Sequence, residues 1–308
     1  MSFYVTEAQV GELLTPADAR VAVQASFERL ARGVVDNPSR VRAELPGGVF
    51  AVMPCVDREL GYAGLKAYTW LPGGTPFLVV LFSIERAELA AVVEADTLGQ
   101  RRTAAASAVA AQLLAREGAA TLGVFGCGRQ AASHVVALRE ALPALQRVLV
   151  FSPNEKRLAA FCKALGCDVA EDGRGAGECD VVVTATTSKE PVLRGEWLSD
   201  GALVLAIGAN DRSERELDDL VLERASLVCT DSRAQAKEEA GDLIDTAASG
   251  VLDWREVREL QDVVSGELSG RASDEDIVVF KSNGLAAWDI AVAARLVDLL
   301  LEGSAGHG

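Results

Sequence analysis

Thr121-Leu122-Gly123-Val124-Phe125-Gly126-Cys127-Gly128-Arg129-Gln130-Ala131 decides the fold. An apolar run enters a GxGxxA string, and the residues that follow carry a helical pattern. Strand, glycine turn and helix in that order form a phosphate-binding fingerprint. Gly126 permits the tight turn, Gly128 lets the backbone approach a pyrophosphate, and Ala131 allows close helix–strand packing, while the helix N-terminus faces the anion. A dinucleotide is the expected ligand; the plainer alternative is a glycine turn with no ligand.

Working outward, the C-terminal side repeats the strand signal in RVLVFS (147–152), DVVVTAT (180–186), ALVLAIG (202–208), SLVCTD (226–231) and DIVVFKS (276–282), separated by helical stretches. Short, nearly continuous apolar strands alternating with helices predict a parallel sheet covered on both faces, a Rossmann-type doubly wound domain. At the end of its second strand stands Ser152, with Lys156 and Arg157 within a helical turn and Glu155 partly offsetting them. An acid there would bind the ribose 2′-hydroxyl of NAD and repel a 2′-phosphate, so its absence favours NADP over NAD. The hydroxyl cluster Thr184 to Ser188 follows a strand at its carboxyl end, where such sheets bind ligands; a hydroxyl-capped loop is the alternative. A final helix is expected over 284–301. The polar tail beyond it, with His307, is expected to be mobile.

On the N-terminal side, Thr15 and Pro16 mark the cap and first turn of a helix closing on Gly33. From 40 to 84 the pattern changes to β-type runs, VFAVMP, LKAYTW and PFLVVLFSI, broken by glycine turns, which predicts an antiparallel sheet. An Ala-rich helix over 101–116 leads into the parallel-sheet region.

The chain has 308 residues, of which 49% are hydrophobic, and a formal net charge of −15. At about 150 residues per domain, two domains are expected. The acidic balance repels nucleic-acid phosphates and anionic membrane surfaces, so neither partner is expected. The longest apolar run, 77–84, is too short for a membrane span. Cys55, Cys127, Cys162, Cys167, Cys179 and Cys229 form no CxxC pair, and His134 and His307 are the only histidines. No metal site is expected, and most of the thiols read as small buried hydrophobes. With no signal-peptide pattern at the N-terminus, the expected compartment is the cytoplasm.

Arg40, Lys66 and Arg102 lie outside the doubly wound region. Taken singly, each reads as a solvated surface charge. Together with their surroundings they carry a resemblance. Pro38-Ser39-Arg40, Met53-Pro54, Gly64-Leu65-Lys66, Arg102-Thr103-Ala104-Ala105-Ala106-Ser107-Ala108, the Gly126 to Ala131 string with His134, and Phe280-Lys281-Ser282-Asn283-Gly284 resemble the ornithine cyclodeaminase/mu-crystallin family. The resemblance implies that residues 1–117 and 284–308 form an α+β substrate-binding and dimerisation domain completed by the C-terminal helix. Residues 118–283 would form the dinucleotide domain, and the protein would be a homodimer. It also implies that Arg40, Met53, Lys66 and Arg102 bind a small imino or amino acid, with Lys66 beside the reacting carbon. Arg129 and Gln130 would offer backbone to the pyrophosphate, Thr186 and Ile207 would line the cofactor groove, and Ser282 would approach the nicotinamide. His134 is expected to bond within its own helix.

Two positions depart from the family pattern. Asn210 stands where cyclodeaminases and alanine dehydrogenases place a catalytic aspartate, and an amide cannot take a proton in the working pH range. Phe77 replaces a small hydroxyl residue and would reshape the pocket. The reading that fits these residues is NAD(P)H-dependent reduction of a small cyclic ketimine. The alternatives are ornithine cyclodeaminase with Asp211 as base, an alanine dehydrogenase-like activity, or a non-catalytic NADP-dependent binding protein.

Overall fold

The computed structural model describes residues 2–305; His307 and the end of the tail lie outside them. Two compact units divide the chain, Met1–Ala106 with Leu285–Gly308, and Ser107–Gly284.

The first unit opens with β1 (Phe3–Val5), α1 (Glu7–Leu13) and α2 (Pro16–Ala31). Thr15 caps α2 in a reciprocal capping box with Asp18, which satisfies two backbone donors at once. Strands β2 (Val35–Asp36), β3 (Val41–Leu45), β4 (Gly48–Asp57), β5 (Tyr62–Trp70), β6 (Phe77–Ser83) and β7 (Glu88–Glu94) follow, and then α3 (Asp96–Leu114). The sheet order is β1-β7-β6-β5-β4-β2, with β3 also paired to β4. It is antiparallel as expected, except that β1 runs parallel to β7. Because β2 and β3 pair with opposite ends of β4, no ladder bond is asked of Pro54 on that side, which is why a proline is tolerated within the strand.

The expected boundary at 117/118 falls instead between Ala106 and Ser107, inside α3. The second half of that helix makes its side-chain and carbonyl bonds within the second unit: Ser107 Oγ to His134, and the Leu114 carbonyl from Arg271.

The second unit holds β8 (Thr121–Phe125), α4 (Arg129–Ala141), β9 (Arg147–Phe151), α5 (Glu155–Leu165), β10 (Asp168–Val169), α6 (Gly173–Gly177), β11 (Val181–Thr184) and β12 (Leu203–Ala206). It continues with α7 (Asp219–Glu223), β13 (Ala225–Thr230), α8 (Arg233–Glu239), α9 (Gly241–Ala248), β14 (Arg258–Glu259), α10 (Leu260–Val264) and β15 (Ile277–Lys281). All pairings are parallel, in the order β10-β9-β8-β11-β12-β15-β13-β14. Strands β8, β9 and β10 run outward in chain order on one side; on the other β11 and β12 do, followed by β15, which is inserted before β13 and β14. The strand order therefore reverses between β8 and β11, the crevice where open α/β sheets bind ligands. The inner strands β11, β12 and β15 are buried at every position, so they read as unbroken apolar runs.

The chain then returns to the first unit as α11 (Ala286–Ala305), longer at its end than the expected 284–301. Gly64 on β5 makes room for it: a Cβ there would lie 2.4 Å from the Val80 carbonyl oxygen and 2.5 Å from Ile290 Cδ1. Trp288 of α11 is fully buried against Phe27 of α2.

Candidate active site

Sheet register builds the first cluster. Met53 on β4 pairs with Lys66 on β5, which pairs with Val79 on β6; one step along, Ala51 pairs with Tyr68 and Tyr68 with Phe77. Arg40 directly precedes Val41, which pairs with Val52, so it is level with Met53. Side chains alternate faces along a strand, so Met53, Lys66, Tyr68 and Phe77 share the inner face. There Lys66 Nζ lies 5.1 Å from the Phe77 ring centre and 6.0 Å from that of Tyr68, with Arg40 5.9 Å from the Tyr68 ring.

Helix α3 adds Arg102 and, one turn earlier, Gly99, where a Cβ would stand 3.4 Å from Lys66 Nζ. Helix α11 adds Asp289, whose Oδ1 accepts from Arg102 Nε at 3.0 Å and lies 3.3 Å from Lys66 Nζ. Arg40, Met53, Lys66 and Arg102 are all at most 9% exposed, and Asp289 is fully buried. The surface-charge reading of these cations is thereby replaced by a buried cluster.

Burial and the neighbouring Arg102 push the Lys66 ammonium down to about 7, against the opposing pull of Asp289. An amine with that value can give and take a proton near neutrality. Arg102 Nη1 and Asp289 Oδ2 are buried with no hydrogen-bond partner among the described residues. One donor and one acceptor are thus left over for a ligand carrying a carboxylate and an N–H.

The glycine turn lies in the second unit. Gly126 has φ +106°, and a Cβ on it would meet the Ala185 carbonyl oxygen at 2.6 Å, so turn geometry and packing both require glycine. Gly128 differs: its φ is −91°, and a Cβ would meet nothing within 4 Å. Neither conformation nor packing within the chain requires glycine there, and the open space beside it admits the close passage of a pyrophosphate. Gly128 is the N-cap of α4 and makes no side-chain cap bond, so the first-turn N–H groups of Arg129, Gln130 and Ala131 could hold phosphate oxygens. The residues present therefore fit a dinucleotide.

Around that turn, Ser152 Oγ accepts from Cys127 Sγ at 3.3 Å, and Lys156 and Arg157 are exposed. The loops at the carboxyl ends of β11 and β12 are tied together by Glu216, which sequence reasoning missed. This fully buried carboxylate accepts from the backbone and hydroxyl of Thr186, from the Thr184 hydroxyl, and from the N–H groups of Gly208 and Ala209. Ile207 is nearly buried beside them. Ser282 is 3% exposed and its hydroxyl donates to Asp231 Oδ2 at 2.9 Å. Asn210 is exposed, and so is Asp211, whose carboxylate accepts from the backbone and hydroxyl of Ser213. His134 Nδ1 meets the Gln130 carbonyl at 2.7 Å and Nε2 meets Ser107 Oγ at 3.0 Å. It bonds within its own helix as expected, and also to α3.

Among the described residues no group of acidic, histidine and cysteine side chains is arranged for a metal ion, and no helix is long and apolar enough to cross a membrane. All six cysteines are free, four of them buried; burial pushes Cys55 and Cys229 up to about 12.

A Rossmann-type unit whose glycine turn fits a dinucleotide, and another unit with a buried cation cluster, define the class of this protein. The chain belongs to the ornithine cyclodeaminase/mu-crystallin family, whose profile matches residues 2–304. It is 34% identical over 289 residues to the Δ1-pyrroline-2-carboxylate/Δ1-piperideine-2-carboxylate reductase of Azospirillum brasilense, covering 90% of this chain and 89% of that one. Two solved structures match with TM-scores of 0.92. The Δ1-pyrroline-2-carboxylate reductase of Thermococcus litoralis, in complex with NADH and L-proline, is 28% identical and covers 98% of both chains. An archaeal alanine dehydrogenase dimer with bound NAD is 33% identical, covering 98% of this chain and 97% of that one.

Proposed function

We propose that this protein is an NAD(P)H-dependent imino-acid reductase that converts a small cyclic ketimine, pyrroline- or piperideine-2-carboxylate, to the cyclic amino acid. The observation that carries this reading is the buried Arg102–Asp289–Lys66 arrangement, with a lysine near pH 7 among two arginines and aromatic rings. A cyclic imino acid offers what that cluster lacks: a single carboxylate for Arg40 and Arg102, and beside it an imine nitrogen that takes the Lys66 proton and then presents an N–H. Counting charges, Arg40, Arg102 and the Lys66 ammonium against Asp289 leave two surplus positive charges; the substrate carboxylate offsets one, and the other is the proton that Lys66 delivers.

Lys66 gives its proton to the imine nitrogen, leaves as the neutral amine and is reprotonated from solvent. Gly126, Gly128, Arg129, Gln130 and Ala131 would hold the pyrophosphate of a reduced nicotinamide dinucleotide, which would supply the hydride for the imine carbon. A protonated imine needs no base, in keeping with Asn210. Asp211 does not supply one either, being exposed and engaged by Ser213. Ser152 with nearby Lys156 and Arg157 supports NADPH over NADH, and the ratio of their kcat/KM values tests it.

The outer face of the first unit's sheet supports a homodimer. Phe50, Leu78, Phe82 and Leu89 are each at least 38% exposed there, alongside partly buried Leu65 and Val80, an apolar patch of the kind that marks an interaction surface.

Purified protein should oxidise NAD(P)H saturably with either cyclic imine. Oxidation no faster than in buffer overturns the reading, and ammonia release from ornithine without net redox change would assign cyclodeaminase chemistry instead.

A further inference from the structure

Asp289 is the only charged residue between Leu285 and Ala294. It is buried completely on the face of α11 that meets Lys66 and Arg102. A carboxylate in such a helix carries a large desolvation cost, so its place calls for a reason.

The groups facing Lys66 supply one. From β4 comes Met53, from β5 Tyr68, from β6 Phe77, from α3 Gly99 and Arg102, from the segment before β3 Arg40, and from α11 Asp289. Burial and both arginines drive the lysine toward its neutral form, and Asp289 is the neighbour that opposes them. The same oxygen that faces Lys66 accepts from Arg102 Nε, which fixes the guanidinium plane and leaves Nη1 for a ligand.

We infer that Asp289 is a positioning residue for the reduction: its carboxylate keeps the Lys66 ammonium charged for proton delivery and sets the plane in which Arg102 receives the substrate carboxylate. The inference rests on the reading of Lys66 as the proton donor. It differs from a merely structural role, in which Asp289 would balance charge so that α11 can dock and would have no bearing on the proton.

The test compares wild type with Asp289→Asn and Asp289→Glu, assayed with a cyclic imine and NADPH from about pH 5 to 9. In Asp289→Asn the alkaline limb of kcat should move down by about one pH unit or more, because the ammonium loses its counter-charge. KM for the imine should rise about tenfold as Arg102 loses its fixed plane. Asp289→Glu, which restores the charge, should bring the limb back toward wild type. A limb that stays in place while only the melting temperature falls overturns the inference. A second readout needs neither turnover nor a variant: the 13C carboxyl resonance of Asp289 in the wild-type protein should shift along the Lys66 titration. A resonance that does not shift there overturns the inference even if Asp289→Asn does not fold. If wild type reduces no imine, the functional reading fails while the coupled titration still decides the pairing.

Discussion

At the scale of single residues, the proposed chemistry concentrates on Lys66 and Arg102. Replacing either with alanine should cost at least about 2 kcal/mol of transition-state stabilisation, or roughly 30-fold in kcat/KM, the scale of a charged bond aimed at the reacting species. Lys66→Arg should not restore turnover, because a guanidinium keeps its proton. In the proposed mechanism Lys66 acts as the ammonium, so kcat/KM should fall as pH rises through about 7; a rate still climbing toward pH 9 would remove Lys66 as donor. His134 acts on stability instead. Burial pushes it down to about 4, so the folded state resists its protonation. The stability it contributes is present above its free value of 6.5 and is lost as pH falls toward about 4. Urea unfolding at a series of acidic pH values should show that slope in wild type and a shallower one in His134→Gln. Arg40, Lys66 and Arg102 were legible in sequence only through family resemblance, since spacing cannot show convergence. Asp289 was not legible, because its partner Arg102 stands 187 positions away and an isolated acid in an apolar helix has no motif of its own.

Elements explain which glycines matter and which strands escape a sequence reading. Gly128→Val should leave the melting temperature nearly unchanged while raising KM for the nucleotide about tenfold or more, because its Cβ would enter open space where a phosphate should pass. Gly64→Val should do the reverse: the added atoms meet the Val80 carbonyl and Ile290, and overpacking of this kind costs about 1–3 kcal/mol, read as a lower denaturation midpoint. The parallel strands were readable because burial on both faces writes them as apolar runs. Strand β3, Val-Arg-Ala-Glu-Leu, has no buried position and so carries no apolar period to detect. The two-residue strands β10 and β14 are too short for any period.

For the whole molecule, the apolar outer face of the sheet predicts its oligomeric state. Light scattering on the purified protein should give twice the mass of one 32.4 kDa chain. Leu65→Glu, placing a charge on that face, should shift the population to monomer; a wild-type protein that is monomeric at micromolar concentration would refute the dimer. The return of α11 to the first unit also sets an order of events during synthesis. The sheet that carries Lys66 is translated first, but the helix that carries Asp289 is made only after Ser107–Gly284 has emerged. At about 5–20 residues per second that is a delay of roughly 10–40 s. Throughout it the parallel-sheet unit has its full sequence and can fold, while the sheet's apolar inner face waits uncovered and its cations lack their counter-charge. The nascent chain is therefore most exposed to aggregation in its oldest segment, and chaperone dependence should map to residues 48–94 rather than to the nucleotide-binding unit.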